Sequence, residues 1–497
     1  VEPPEDDFAP PPPPGGFVEP PEDDGFAPPP PPPPVGGFVE PPGDDDFLPP
    51  PPPPGTPRKR ILWDIRQERA ATVPFPPGDT AFSLPRLNRV YRDPLSLGLE
   101  YYERFGPVFT TRLMHLNVVW ALGPEANTYI LVKHPENFSW REGSFADLIP
   151  LLGDGMLTID GAFHRASRMA LVPAFTKDRI NKARELIDAE VGAAVGQLKV
   201  GDQFDLVTWT RELALRVAMK ALLGCDPDAG ARGQQAARDF ETALSFYGHH
   251  PLMQIVRGPR TPWARMQAAS GRLDTVIYEE LELRRRRAAG SDDGHGDDLL
   301  GLLLDLQATG DVELDDTHLR DQIMTLMFAG HDTTTATVAF LFYELARNPE
   351  LADDPSWDLA LAIDETLRMY PAAWVGPRRS VEPFELCGHQ IPGRAAVNYS
   401  SWISHRLPDV WDDPHTFTPE RFAPGNVEKI PKGAYVPFGG GSRTCLGMRF
   451  GQAEVTSIAA HILQDFRLEL EPGYQLRTRQ SPTISPRDGL PVRIRRR

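Results

Sequence analysis

The sequence predicts a mainly α-helical protein with small β-sheets, built as one large domain behind a disordered tail. Three features carry that expectation. Apolar residues recur at helical spacing over 177–198, 207–223, 232–248, 262–287, 316–346, 358–369 and 447–465. Alternating, β-rich sequence is confined to 107–122, which reads as a hairpin, and to a short run at 384–400. The first 57 residues have neither period and are dominated by proline, glycine and acidic side chains.

The tail is an imperfect threefold repeat with units at 1–16, 17–37 and 38–55. Each unit carries Val-Glu-Pro-Pro, an acidic cluster, an aromatic residue and a proline run. Proline fixes φ and has no N–H to donate, so these runs favour extended polyproline II with a solvated backbone. So few apolar residues cannot offset the entropy of ordering, and the segment is expected to be disordered. It serves either as a solubilising spacer or as a docking segment for a partner. The first unit lacks the Gly-Gly-Phe lead-in and position 1 is Val, which suggests a natural start further upstream. Arg58-Lys59-Arg60 reads as a solvated boundary, giving a tail at 1–57 and a domain at 58–497.

Charge separates these parts. The tail holds twelve acidic residues and no Lys or Arg, so removing it from the net charge of −17 leaves −5. That mild value argues against nucleic acid as a partner. Three scattered cysteines, Cys225, Cys387 and Cys445, make a disulfide framework unexpected and fit the cytoplasm. No run of about 18 apolar residues occurs, so no integral membrane segment is expected. The most apolar window, 323–346, is interrupted by His331-Asp332-Thr333-Thr334-Thr335, the pattern of a buried helix with a polar site.

The loop from Phe438 to Gly447 places Cys445 behind a glycine run and ahead of the helical segment. Inward-turned N–H groups and a helix N-terminus favour a thiolate. With no second cysteine at zinc-like spacing, one axial bond to haem iron suits it better than zinc or an iron–sulfur cluster. An inert cysteine in a glycine turn is the competing reading. In the long helix, expected to be capped by Asp315 or Asp316, Ala329 and Gly330 share a face with Thr333. A carboxylate beside a hydroxyl in a gap left by small residues makes a proton relay, or else Asp332 is simply paired within a Thr-rich core.

Together these motifs make the chain resemble the cytochrome P-450, or haem-thiolate monooxygenase, superfamily. Phe438, Gly441, Arg443, Cys445 and Gly447 match its ligand signature, and Ala329-Gly330-His331-Asp332-Thr333-Thr334 its distal-helix motif. Glu365-Thr366-Leu367-Arg368 and Pro419-Glu420-Arg421-Phe422 follow in family order. The likeness is to soluble bacterial members, extends loosely over 70–497 and leaves out the tail. It implies haem b (iron protoporphyrin IX with an axial thiolate), with Cys445 as the metal ligand. It implies proton delivery to O2 by Asp332 and Thr333, and a structural role for Glu365, Arg368 and Arg421. His164 and Arg168, at i and i+4, would reach the haem propionates together with Arg443 and Arg378, for which Arg379 is a rival.

By the same resemblance the substrate pocket draws on Phe145, Leu148, Ile149, Leu151, Leu152, Met327, Ala329, Ala373, Trp374, Val375, Thr483 and Ile484. A hydrophobic small molecule fits that wall: terpenoid-, fatty-acid- or polyketide-like. No reductase segment follows the signature, which implies electrons from a separate ferredoxin and ferredoxin reductase, with Arg421, Arg443 and Arg449 as an attractive face. A peroxygenase or coupling enzyme is the nearest alternative, and a non-catalytic haem sensor displaying the tail the more distant one.

Overall fold

The computed structural model describes residues 57–497 apart from 250, 291–294, 297, 310–313 and 354–356. The repeat tail up to residue 56, with the disorder expected of it, lies outside the described residues. The long helix Asp316–Arg347 runs through the body and organises the rest. Asp315 caps it in a capping box: its carboxylate accepts from the His318 N–H, and the His318 ring accepts from the Asp315 N–H.

Two large apolar clusters share that helix without overlapping on it. Its first half, from Leu319 to Phe328, packs with Leu215, Met219, Leu223, Phe240, Met266, Leu281 and Leu300. Its second half, from Ala336 to Leu345, packs with Val191, Val217, Ile363, Ile458 and Ile462. Residues 329–335 belong to neither cluster. The polar interruption read in the sequence is therefore a seam between two cores.

A six-stranded sheet flanks the helices, in the order Gly78–Asp79, Val108–Leu113, Leu116–Ala121, Ala396–Tyr399, Gly376–Ser380, Phe138–Ser139. The expected hairpin is its centre, and Val397 pairs with Arg378 while Ala396 pairs with Arg379. Successive residues of a strand face opposite ways, so these two arginines are sent to different surroundings. At the Cys445 end, the helix Met448–Asp465 starts where the apolar pattern begins.

Arg58 and Lys59 are exposed, while Arg60 is half-buried and the tripeptide opens a helix that the sequence pattern does not predict. The helix Pro57–Arg69 begins there and is tied into the body. Arg60 donates to the Glu142 carbonyl at 2.8 Å, Glu68 pairs with Arg112 at 2.6 Å, and Asp64 with Arg379 at 2.5 Å. This helix docks through ion pairs more than through an apolar stripe, so hydrophobic periodicity did not reveal it. The Glu365 network is as expected. Glu365 and Arg368 are wholly buried and meet at 2.7 Å, and Arg421 approaches the same carboxylate at 3.4 Å.

Candidate active site

The cysteine loop is closed by the Cys445 N–H donating to the Phe438 carbonyl at 3.0 Å. Gly441 has φ +61°, and a Cβ there would sit 2.1 Å from the Leu131 carbonyl oxygen, so only glycine fits. Gly447, at φ −82°, needs no such freedom; a Cβ on it would meet nothing within 4 Å. Open space therefore lies beside the cysteine. Cys445 is itself exposed, yet burial raises its thiol above the ordinary value, against the Gly447 N–H and Arg168. An accessible side chain in desolvated surroundings faces an internal void. The Gly447 N–H and Arg168 both favour the thiolate, as the loop geometry leads one to expect.

The long helix presents the matching wall. Leu326, Ala329, Gly330 and Thr333 are only partly buried, in a stretch whose other residues from 319 to 338 are buried. Their spacing of i, i+3, i+4 and i+7 puts them on one face. A Cβ on Gly330 would meet nothing within 4 Å, so that face also borders open space. Thr333 donates its hydroxyl to the Ala329 carbonyl at 2.7 Å. Asp332 points elsewhere. Its carboxylate accepts from Arg211 at 3.2 Å and from the Thr483 hydroxyl at 2.5 Å. Burial opposes its charge, but His331, Arg211 and Thr483 prevail and hold the carboxyl below its ordinary value.

A cationic cradle lies near the loop. Arg168 donates to the Thr444 carbonyl at 2.8 Å and has no carboxylate partner among the described residues. His164 is buried, and desolvation together with Arg443 and Arg168 pushes it down to about 3. Arg443 pairs with Asp160 at 2.8 Å and also donates to the Ile159 carbonyl. Its inward guanidinium removes it from the basic face expected to attract an electron donor. Arg378 stacks on Trp140 at 3.5 Å, lies beside Tyr399 and donates to the Pro377 carbonyl, with no carboxylate ion pair among the described residues. Burial pulls both Arg378 and Arg443 down to about 10. Arg379, the rival, is saturated by Asp64, the Glu142 carbonyl and the Arg394 carbonyl. So Arg378, not Arg379, is the buried cation left for an exogenous anion. One carboxylate among His164, Arg168, Arg378 and Arg443 leaves excess positive charge, which the two propionates of a haem would neutralise.

Of the expected pocket residues, Ala373 is exposed and Trp374 and Val375 are partly so, as are Phe145 and Ile149. Leu151, Leu152, Met327 and Ile484 are packed into the cores, at 3% exposure or less, and cannot line the void. Sequence reasoning missed Arg211. Its one signal was a charge set between the buried Thr210 and Leu213 of the helix Leu206–Leu223. Thr483 was expected as a pocket residue and instead holds Asp332.

A lone cysteine facing a void, a small-residue wall opposite and an anion cradle at the side define a haem-thiolate enzyme site. The comparisons with known proteins agree, and the chain belongs to the cytochrome P450 family, whose model matches residues 75–354 and 359–490. Cyclooctatin synthase of Streptomyces melanosporofaciens is 30% identical over 360 residues, 68% of this chain and 77% of that protein. Cyclooctat-9-en-7-ol 5-monooxygenase of the same organism is 29% identical over 428 residues, 81% and 92% of the two chains. A solved structure, retinoic acid-bound cyanobacterial CYP120A1, aligns at a TM-score of 0.74 with 26% identity, covering 86% of this chain and all of that one. The protein is thus an oxidoreductase of the monooxygenase class that uses haem b with a cysteine thiolate ligand. No described helix is long and apolar enough to cross a membrane.

Proposed function

We propose that this chain inserts one oxygen atom from O2 into a C–H or C=C bond of a terpenoid-like molecule, with Cys445 as the iron ligand. The reading rests on the exposed Cys445, the open space beside Gly447, and the partly open face of Leu326, Ala329, Gly330 and Thr333 with open space beside Gly330. Haem bound there supplies the O2-activating redox chemistry, and the thiolate pushes electron density that favours O–O cleavage. His164, Arg168 and Arg378 bind the propionates, with Arg443 held ready by Asp160. Ala329 and Gly330 leave room for the reactants. Thr333, its hydroxyl proton given to the Ala329 carbonyl, keeps its lone pairs free to accept a proton at Oγ1 and relay one onward. Asp332, kept ionised by Arg211 and Thr483, takes protons from solvent and feeds that position.

The apolar wall of Leu326, Ala329, Ala373 and Trp374 suits a hydrophobic ring system. A terpenoid-like substrate is supported by relatives named for cyclooctatin and cyclooctat-9-en-7-ol, and by a neighbour with retinoic acid bound. Electrons come from a separate ferredoxin and its reductase, in the cytoplasm, and residues 58–497 form the catalytic domain. The test is the reduced carbon-monoxide difference spectrum of the haem-loaded protein. A thiolate-type Soret band that disappears in Cys445→Ser is expected; the same band in both proteins would overturn the assignment.

A further inference from the structure

Away from the active site, Arg92, Leu476, Arg477, Thr478 and Arg487 line a surface groove of about 530 Å³. All three arginines are exposed. Among the described residues the groove's cations have one acidic partner, Asp488, which pairs with Arg477 at 2.8 Å. Asp93, next to Arg92, is occupied in capping the helix Pro94–Phe105, accepting from the Ser96 N–H at 3.1 Å. The groove therefore carries two cations with no counter-charge.

We infer that this groove docks an acidic cluster of the chain's own N-terminal repeats, with Asp44-Asp45-Asp46 the nearest. Charge complementarity supports that occupant: the tail has twelve acidic residues and no basic one, in clusters of three in each repeat unit. Reach supports it as well. Ten residues lie between Asp46 and Pro57, where the described body begins, and eleven steps at about 3.3–3.6 Å each give that cluster a radius of nearly 40 Å. The clusters of the two earlier units reach further still. A tethered ligand also acts at an effective concentration in the millimolar range, so each contact can be weak and still be populated. Carboxylates facing guanidinium groups form charge-assisted, bidentate hydrogen bonds.

The position of the groove gives docking a consequence. Arg477 and Arg487 stand at the two feet of one hairpin, whose strands Thr478–Arg479 and Ser485–Pro486 pair antiparallel. The Arg487 N–H donates to the Arg477 carbonyl across its base at 2.7 Å. The apex of this hairpin carries Thr483, which bonds Asp332, and Gln480, whose carbonyl accepts from Trp374. Ser481 bonds the Tyr247 carbonyl from the same apex. An acidic cluster held by Arg487 and Arg92 fixes the base of the element whose Thr483 holds Asp332. None of this depends on which substrate the enzyme takes or on the haem assignment.

The test is zero-length carbodiimide cross-linking of the full-length, haem-loaded protein, which joins a carboxylate to an amine only on contact. Arg92→Lys and Arg487→Lys keep the charge and supply the amine. Arg286→Lys, on an exposed helix face, is the control. At about 0.1 M salt, where the Debye length is about 10 Å, peptides joining the tail clusters to Lys at 92 or 487 should exceed those to the control at least about fivefold. They should occur in monomeric protein and fall away near 1 M salt, where that length is about 3 Å. Equal yields at the control site overturn the assignment, as does the absence of tail cross-links. Cross-links confined to dimers overturn it too, by making a second copy the occupant.

Discussion

Arg378 and Arg379 are adjacent on one strand and equally buried, yet their removal should do different things. Arg379 neutralises Asp64 at 2.5 Å, with their side chains 2% and 6% exposed. Truncating Arg379 to Ala leaves the Asp64 carboxylate with only His115 and Arg60 as cationic neighbours, and it frees two carbonyls. Breaking a buried pair from one side costs about 3–5 kcal/mol, so Arg379→Ala should lower the stability of apoprotein and holoprotein alike by that order. Arg378 has no carboxylate to strand. Its loss removes stacking on Trp140 at 3.5 Å, worth about 0.5–2 kcal/mol, and relieves an uncompensated buried charge. Arg378→Ala should therefore change apoprotein stability by about 1 kcal/mol or less. Its cost appears on haem binding, where a charge-assisted hydrogen bond to a propionate contributes about 1.5–3 kcal/mol, or about 10- to 100-fold in affinity. Urea unfolding of the apoproteins and haem transfer to apomyoglobin separate the two effects. If Arg378→Ala unfolds the apoprotein as readily as Arg379→Ala, or releases haem at the wild-type rate, the cradle is misread.

Asp332→Asn keeps the shape that Arg211 and Thr483 hold but removes the ionised proton carrier; oxidation of a terpenoid probe should slow about 100-fold or more with the carbon-monoxide spectrum unchanged. Gly441→Ala forces a Cβ to within 2.1 Å of a carbonyl at φ +61°, and should cost about 1–3 kcal/mol in apoprotein unfolding. Gly447→Ala meets nothing within 4 Å, so it should leave the apoprotein's stability near wild type while lowering haem loading, as read by the haem-to-protein absorbance ratio. Glu454 donates nothing to solvent: it is buried, accepts from Thr334 at 2.9 Å, and burial raises it from 4.5 to about 8. Between those values the folded chain keeps a proton that the unfolded chain has released, so stability falls as pH rises through that window and levels off above it. Glu454→Gln should flatten the denaturation free energy between pH 5 and 8, and a profile parallel to wild type would contradict the neutral carboxyl.

Much of this was legible in the chain because local rules were enough. The helices 206–223, 262–288 and 316–347 carry long apolar periods, and their observed ends fall within one or two residues of the pattern. Cys445, Gly441 and Gly447 stand in one short loop, so spacing alone brings them together. What escaped depends on contacts distant in sequence. The helix Pro57–Arg69 is held by ion pairs to residues up to 315 positions away. The choice between Arg378 and Arg379 rests on which face of a strand meets Asp64, and no property of the dipeptide encodes that. Met327 looked like pocket lining because it is apolar and near Ala329; on a helix the two project differently, and only one faces the void.

The same reasoning explains why the sequence reveals Asp332 and Thr333 as a pair of residues but not the direction in which each one points. Asp332 and Thr333 are neighbours in sequence, yet about 100° apart around the helix, so they cannot share a direction. Thr333 belongs to the open stripe, whereas Asp332 is turned toward Arg211 of one helix and Thr483 of a C-terminal hairpin. The carboxylate is thus anchored at the seam between the two cores, by elements from both sides of the long helix, while the hydroxyl borders the reaction space. The proposed relay therefore requires Asp332 to leave one of its two anchors. Thr483 reaches Asp332 from a separate two-stranded sheet, whereas Arg211 reaches it from the helix Leu206–Leu223.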